Sequence, residues 1–388
     1  MACSNKMNII MQKLYETNKI YEIHGINRML KEELISLQIE KTDKTIYKQV
    51  QDRWDSVAKP LNGLGEFEKI FDRIGAISGT ADIDIRKKLI ISMCADNGIV
   101  EEGVSQSGQE VTAIVSGFMA HGESSVGRMA KVAGTDVWAV DIGINSDTRI
   151  AGMIDAKVAM GTANFLKQPA MTLQEALSAI ETGIRMVEKA KASGYSIIGT
   201  GEMGIGNTTT SSALAAILTG SPIADVTGRG AGLDDEGLRR KQHVITEALH
   251  KYGFKQGVKY SGPDNALKAL QCVGGLDIAG LVGVFIGGAV YHIPIVIDGL
   301  ISAVSALVAA QINPLVTEYM LASHMSREKA AGVIMDMLGI NPVIDAGLAL
   351  GEGTGAVMFF GLLDIAFSLY ESQTTFDEMK IDQYERYV

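Results

Sequence analysis

The sequence predicts an α/β protein with a Rossmann-like, doubly wound and mainly parallel sheet. From Lys88 onward, short apolar runs alternate with helical patterns, as in successive strand–helix units. Four of these runs end on an acid, at Asp96, Asp141, Glu202 and Asp298. Because the carboxyl ends of neighbouring parallel strands face one crevice, these acids predict a polar ligand site there. The alternative for each acid is that it only caps a following helix.

Each predicted element rests on its hydrophobic period and its flanking turn residues. Residues 1–85 are predicted to be helical and are mixed in charge, with a break in the turn-rich segment 59–68. The predicted strands are residues 89–96, 137–141, 195–202 and 293–298. The predicted helices are residues 110–132, 173–192, 208–218, 233–253, 299–311, 327–339 and 354–370.

One apolar stretch, residues 278–297, approaches the length of a membrane span. Pro294 interrupts this stretch, and Asp277 and Asp298 flank it. The pattern therefore favours a buried helix followed by a central strand.

Composition limits the classes of function. The 388 residues are 47% hydrophobic and 21% charged, which is typical of a globular chain with a sizeable core. The length fits a large α/β domain with a modest helical accessory. The formal net charge of -10 gives no basic stripe for phosphate contacts, so nucleic acid is not an expected partner.

The metal-binding and targeting signals are weak. Cys3, Cys94 and Cys272 are too scattered for a disulfide framework or a thiolate site, and the six histidines lack an HExxH spacing. The first residues lack the continuous apolar core of a secretion signal. We therefore expect no metal and no cofactor, no membrane partner, and a cytoplasmic location.

The glycine-rich loop GTGEMGIGNTTTSS carries the densest functional signal. It runs from a predicted strand into a predicted helix, where backbone amides and the helix dipole favour a phosphate. A GxGxxG pattern at Gly199, Gly201 and Gly204, followed by Asp225, suggests a dinucleotide fold. Glu202 lies inside that turn and would repel a pyrophosphate, so we give this match little weight.

Two further clusters point to the same kind of site. TGRGAGLDDEGLRRK offers Arg229 and Lys241 to an anion, although such a charged helix is often only a solvated face. LGEGTGA places Glu352 between glycines before an apolar helix. On its own, a glycine-flanked acid is more often an ordinary turn or N-cap.

Eight segments together resemble the nicotinate-nucleotide:dimethylbenzimidazole phosphoribosyltransferases of cobamide lower-ligand assembly. They are KPLNGLGEFE, MCADNGIVEEGVSQSGQEVT, MGTANF, GEMGIGNTTTSSAL, GRGAGLDDEGLRRK, GGLDIAGLVG, IPIVIDGLISAVSAL and LGEGTGA, and they span roughly residues 50–370. The resemblance implies a homodimer with a large α/β domain at residues 86–330. It also implies a small helical domain from both chain ends, at residues 34–85 and 331–388, after an extension at residues 1–33.

The resemblance also implies a reaction and a set of roles. Nicotinate mononucleotide and 5,6-dimethylbenzimidazole would give α-ribazole 5′-phosphate and nicotinate, without a cofactor. Glu352 resembles the family's general base, and Ser107 falls where the family lines the base pocket. The other substrate-binding candidates are Gly201, Glu202, Gly204, Asn207, Thr208, Arg229, Lys241 and Asp298.

Two departures from the family leave the acceptor base open. Asn97 stands where many relatives have His, and Val115 stands where some have Gln. Transfer to a phenol or a purine is therefore an alternative within the same chemistry. A nicotinamide-dependent oxidoreductase and a noncatalytic partner subunit are alternatives of other classes.

Overall fold

The computed structural model describes residues 29–371 and 374–386, and within them the chain forms one parallel sheet. The strands are β1 (Lys88–Ala95), β2 (Thr135–Gly143), β3 (Ile154–Asp155), β4 (Ile197–Met203), β5 (Ile295–Ile297) and β6 (Met320–Ala322). Their spatial order is β3-β2-β1-β4-β5-β6, and every pair is parallel. The predicted α/β class is confirmed. Most of the predicted extension, residues 1–28, lies outside the described residues.

Helices connect and cover the strands. They are α1 (Lys31–Ile35), α2 (Lys44–Ser56), α3 (Glu66–Ser78), α4 (Glu110–Ala120), α5 (Ser125–Val132), α6 (Leu173–Ala192), α7 (Asn207–Thr219), α8 (Ile223–Val226), α9 (Asp235–Lys251), α10 (Pro263–Val273), α11 (Leu276–Tyr291), α12 (Leu300–Ile312), α13 (Ala331–Leu338), α14 (Thr354–Tyr370) and α15 (Phe376–Met379). Two 3₁₀ segments, Gly98–Glu102 and Pro314–Tyr319, complete the set for the described residues.

The sequence prediction was wrong in a few elements. The single helix predicted at residues 110–132 is two helices, α4 and α5, because Gly122 adopts a left-handed φ of 70° and Ser124 caps α5. The edge strands β3 and β6 were missed. They are two and three residues long, too short to show a hydrophobic period.

The apolar stretch at residues 278–297 folds as predicted. It forms most of the buried helix α11 and then the central strand β5. No helix in the described part of the chain is both long enough and apolar enough to cross a membrane.

Alternate residues of β1 face two different cores. Leu89 and Ile91 pack on the side of the sheet that carries α6, α7 and α11, whereas Ile90 and Cys94 pack on the other side. That second core includes Trp54 from the N-terminal helices and residues of α14. Helices α2 and α3, near the start of the described chain, therefore meet α14 on the same face of the sheet.

The chain order reverses direction between β1 and β4. From β1 the chain builds outward to β2 and β3 on one side, and then to β4, β5 and β6 on the other. A crevice opens at the carboxyl edge of such a switch point, where the flanking loops diverge. The loops that follow β1 and β4 contain Asn97, Ser107 and the glycine-rich segment.

Candidate active site

The four predicted acids do come from neighbouring parallel strands, in the order β2, β1, β4 and β5. Asp141 forms an ion pair with Lys157, at 3.2 Å, and Asp96 accepts the backbone N–H of Asn145, at 2.8 Å. These two acids therefore hold the loop that follows β2. Glu202 and Asp298 lie on the opposite side of β1 and have different partners.

Asp298 caps a helix that begins far away in the sequence. Its carboxylate accepts the backbone N–H of Gly353, the N-cap residue of α14, at 3.2 Å, and that of Ala356, in the first turn of α14, at 3.0 Å. Asp298 therefore does cap a helix, as the sequence allowed. The capped helix is α14 and not α12, which follows Asp298 in the sequence. Burial raises the pKa of Asp298 to about 7, against the lowering effect of these backbone hydrogen bonds.

Glu352 lies immediately before α14, in the loop that Asp298 anchors. Its φ of 61° is left-handed, an uncommon conformation for a side-chain-bearing residue. One carboxylate oxygen, Oε2, accepts the backbone N–H of Val126 in the first turn of α5, at 3.0 Å. The carboxylate is half-buried and is held between the amino ends of two helices.

Glu202 belongs to a buried polar network at the end of β4. The side-chain amide of Asn207 donates to Glu202 and also to Asp277, in the second case at 3.0 Å. Burial raises the pKa of Glu202 to about 8, and the charge of Asp277 adds to the shift. Burial also raises the pKa of Asp277, to about 6.

Close backbone approach brings Glu202 and Glu352 into one crevice. A Cβ at Gly201 would overlap the carbonyl oxygen of Glu352, and one at Gly351 would lie 2.8 Å from Glu202 Oε1. The end of β4 and the loop before α14 therefore touch because glycine occupies both positions. Gly204, another of the substrate-binding candidates, lies similarly close to the carbonyl oxygen of Ala95.

Lys241 reaches the amino end of α7 from α9. Its ammonium donates to the Thr208 hydroxyl, at 2.9 Å, and the side chain is 0% exposed. Burial lowers the pKa of Lys241 to about 8. A Cβ at Gly230 would lie 2.8 Å from Thr208 Oγ1, so the loop before α9 covers this point. A cation, a hydroxyl and the amino end of a helix thus lie together, and these are groups that bind an anion.

The predicted base-pocket loop packs against the glycine-rich loop. Thr112, at the start of α4, accepts the backbone N–H of Ile205, at 3.1 Å, and Gln109 donates to the carbonyl of Asn97, at 3.2 Å. Ser107 is half-buried and lies between Asn97 and Gln109 in the sequence. The loop therefore borders the switch-point crevice.

Arg229 differs from the other candidates. Its guanidinium is exposed, donates to the Leu233 carbonyl at 2.9 Å and pairs with Asp235. In this arrangement it holds the turn before α9. A contact between Arg229 and a substrate stays a prediction.

Sequence reasoning did not single out two buried residues of this region. Asp277, which the sequence marked only as the flank of an apolar stretch, shares Asn207 with Glu202. The ring of His324 packs so closely on Gly355, beside Asp298, that a Cβ at Gly355 would overlap the ring. Burial lowers the pKa of His324. His324 follows the edge strand β6, which the sequence did not predict. The sequence therefore could not indicate that this histidine lies beside Asp298.

The dinucleotide interpretation loses its second element. Asp225, the candidate ribose-binding acid, lies in the short helix α8 and not at the end of a strand. The GxGxxG segment thus lacks the strand-borne acid that the fingerprint needs.

Comparison with known proteins adds independent findings. A family described as phosphoribosyltransferase (DBI_PRT) matches residues 39–381. Nicotinate-nucleotide–dimethylbenzimidazole phosphoribosyltransferases of Clostridium acetobutylicum and Acetivibrio thermocellus are both 42% identical, over 89% and 90% of this chain and 97% and 98% of their own lengths. The crystal structure of CobT from Thermus thermophilus matches with a TM-score of 0.79 and 34% identity, over 88% of this chain and 100% of that one.

Proposed function

Because this chain belongs to the phosphoribosyltransferase family of these relatives, we propose that it transfers the phosphoribosyl group of nicotinate mononucleotide to 5,6-dimethylbenzimidazole or a related base. The products are α-ribazole 5′-phosphate and nicotinate, and the step serves cobamide nucleotide-loop assembly in the cytoplasm. The observation that carries the proposal is the convergence of Glu352, Glu202 and the Lys241–Thr208 pair around one switch-point crevice.

Glu352 acts as the general base. The incoming azole loses its N–H proton as its nitrogen attacks the anomeric carbon, and a carboxylate at the mouth of the crevice accepts that proton. Its hydrogen bond with the Val126 N–H fixes the side chain and leaves the second oxygen, Oε1, for the azole. The departing pyridine nitrogen becomes neutral as the bond breaks, so it needs no acid. Attack opposite the leaving ring inverts the anomeric carbon.

Glu202 and Asp298 respond to the positive charge on the substrate. Their pKa values of about 8 and about 7 mean that neither is fully ionised in the empty crevice at neutral pH. A cationic pyridinium riboside favours the ionised forms, so binding converts these neutral groups into charged ones. The resulting charge stabilises the oxocarbenium-like transition state.

The monophosphate binds at the amino end of α7. Gly201, Gly204 and Asn207 shape the approach, while Thr208 and Lys241 supply a hydroxyl and an ammonium. The ammonium has three donors, and Thr208 is its hydrogen-bond partner within the described residues. A phosphate would satisfy the remaining donors and restore the full positive charge of the buried lysine.

A phenol or a purine is the second candidate acceptor. Val115 is half-buried on α4, one turn beyond Thr112, and brings no hydrogen-bonding group where some relatives have Gln. Asn97 is buried after β1 and accepts from the Thr210 hydroxyl, at 3.4 Å. Loss of a polar contact weakens selection for a particular ring.

We also propose a homodimer and the domain division expected from the resemblance. Ile114 and Phe118 on α4 and Leu362 and Ile365 on α14 are large apolar residues left exposed, at 38–70%. Each pair lies one turn apart on its own helix, and exposed apolar helix faces are typical of protein interfaces. Contacts such as that of Trp54 with Tyr370, at 4.9 Å between ring centroids, support a small domain made from both chain ends.

One assay tests the function directly. The purified protein is incubated with nicotinate mononucleotide and a panel of benzimidazoles, purines and phenols, and the products are identified by mass and anomeric configuration. We expect an α-ribosylated benzimidazole phosphate, and competition among bases for a limited donor gives the preferred acceptor. No ribosylated product from any base contradicts the proposal. A monomer at micromolar concentration by light scattering contradicts the dimer.

A further inference from the structure

A cavity of about 380 Å³ lies outside the proposed active site, beside the turn KPLNGLGEFE. Helix α2 contributes Tyr47 and Trp54 to its wall, α3 contributes Glu68 and Asp72, and the C-terminal segment contributes Arg386. None of these residues belongs to the crevice described above. The cavity thus has its own set of polar and aromatic groups.

Three buried polar atoms in this wall have no hydrogen-bond partner among the described residues. They are Trp54 Nε1, Glu68 Oε2 and Asp72 Oδ1. The three residues are only 0%, 3% and 2% exposed. Buried polar groups are nearly always hydrogen-bonded, and each one left alone costs about 1–3 kcal/mol. Three such atoms around one cavity make it a candidate ligand site.

The neighbouring cations already have carboxylate partners. Arg386 binds Asp55 through two hydrogen bonds, of 2.5 and 2.7 Å, and Lys59 pairs with the other oxygen of Glu68, at 2.8 Å. Lys69 pairs with Glu66, at 3.0 Å. Asp72 has no ion pair of its own within the described residues, although Lys69 and Arg386 line the same cavity, so Asp72 Oδ1 lacks a cationic partner there.

We propose that this cavity binds a small organic cation whose N–H groups donate to Glu68 Oε2 and Asp72 Oδ1. A primary ammonium or a guanidinium has this chemistry. The ring of the half-buried Tyr47 favours a cation further where it contacts the ligand. A metal ion fits less well, because no cluster of three or more metal-ligating side chains exists in the described residues. The indole N–H of Trp54 also cannot ligate one.

Binding should release a proton. Burial raises the pKa of Asp72 to about 7; Glu68 and Asp55 raise it further, while Arg386 and a hydrogen bond from Tyr47 lower it. Near neutral pH, Asp72 is therefore partly protonated in the empty cavity. A bound cation favours the carboxylate, and the proton leaves to solvent.

The cavity and the catalytic loop lie near opposite ends of one helix. Trp54 packs on Tyr370, the last residue of α14, whereas Glu352 lies just before its first residue. The helix has 17 residues and is thus roughly 25 Å long. The cavity is therefore a second site and not an extension of the crevice.

The full-length protein is titrated with agmatine and putrescine at constant ionic strength, with butyramide as the neutral comparison. We expect a saturable rise in Tm with the cations and none with butyramide. Asp72→Asn should weaken binding at least about tenfold, the effect of losing one charged hydrogen bond. Asp264→Asn, at an exposed acid, should bind as the unchanged protein does.

Two further measurements show whether a loss of binding by Asp72→Asn reflects the cavity or a failure of the variant to fold. Without ligand, Asp72→Asn should melt no lower than the unchanged protein, because it removes a buried carboxylate without an ion pair. The sequence has two tryptophans, so Trp138→Phe leaves Trp54 as the fluorescent reporter of the cavity. We expect its emission to change with agmatine, with proton release in calorimetry at pH 7. The absence of saturable binding, or equal binding by Asp72→Asn, overturns the proposal.

Discussion

Asp298 accepts the backbone N–H of Ala356 at 3.0 Å, and so a carboxylate at the end of β5 positions the helix that begins just after Glu352. Its second oxygen accepts the N–H of Gly353, the residue next to Glu352. The two acids are 54 positions apart in the sequence, yet one fixes the backbone from which the other projects. In the proposed mechanism, Asp298 therefore acts by positioning Glu352 as well as through its own charge.

The variant Asp298→Asn separates these two effects. The amide cannot accept both N–H groups, so we expect the start of α14 to loosen and the unfolding free energy to fall by about 1–3 kcal/mol. The rate should fall in the unchanged protein and by a smaller factor in a Glu352→Gln background, because the positioning effect needs Glu352 whereas the charge effect does not. An equal loss in both backgrounds shows that Asp298 acts only through its own charge and does not position Glu352. Asp336→Asn, at an exposed acid on α13, is the control.

Glu352→Gln tests the base directly. Glutamine keeps an oxygen for the Val126 N–H, so the fold should be preserved, with Tm unchanged within a few degrees. The rate of transfer should fall by about 100- to 10,000-fold, the usual contribution of a general base. Glu123→Gln, at an exposed acid just before α5, should be fully active. Turnover by Glu352→Gln at the normal rate is incompatible with the proposed mechanism.

The sequence revealed the fold and most of the crevice because the signals were local. Apolar runs that end on acids located β1, β2, β4 and β5, and glycine loops marked their carboxyl ends. The sequence did not reveal that Asp298 caps α14 or that Asn207 reaches Asp277, since those contacts cross 55 or more positions. Such pairings depend on the packing of whole elements and leave no period in the sequence.

Glu202 should make stability depend on pH. Its pKa in the folded protein, about 8, lies above the ordinary value of 4.5, so between these values the folded state holds a proton that the unfolded state has lost. The stability that this proton contributes is fully present below about pH 4.5 and is lost as the pH rises toward 8. Tm of the unchanged protein should therefore fall relative to Glu202→Gln from pH 5 to 9. Parallel Tm curves for the two proteins would show that Glu202 titrates normally.

Lys241 should determine affinity for the phosphate and not for the nucleoside. In Lys241→Gln the buried ammonium is lost, and the dissociation constant for nicotinate mononucleotide should rise by about 10- to 100-fold, as for a charged hydrogen bond. Nicotinate riboside, which lacks the phosphate, should bind the variant and the unchanged protein alike. Arg239→Gln, at an exposed base on the same helix, serves as the control. If both ligands weaken equally in calorimetry, Lys241 supports the packing of α9 against α7 and does not bind the phosphate.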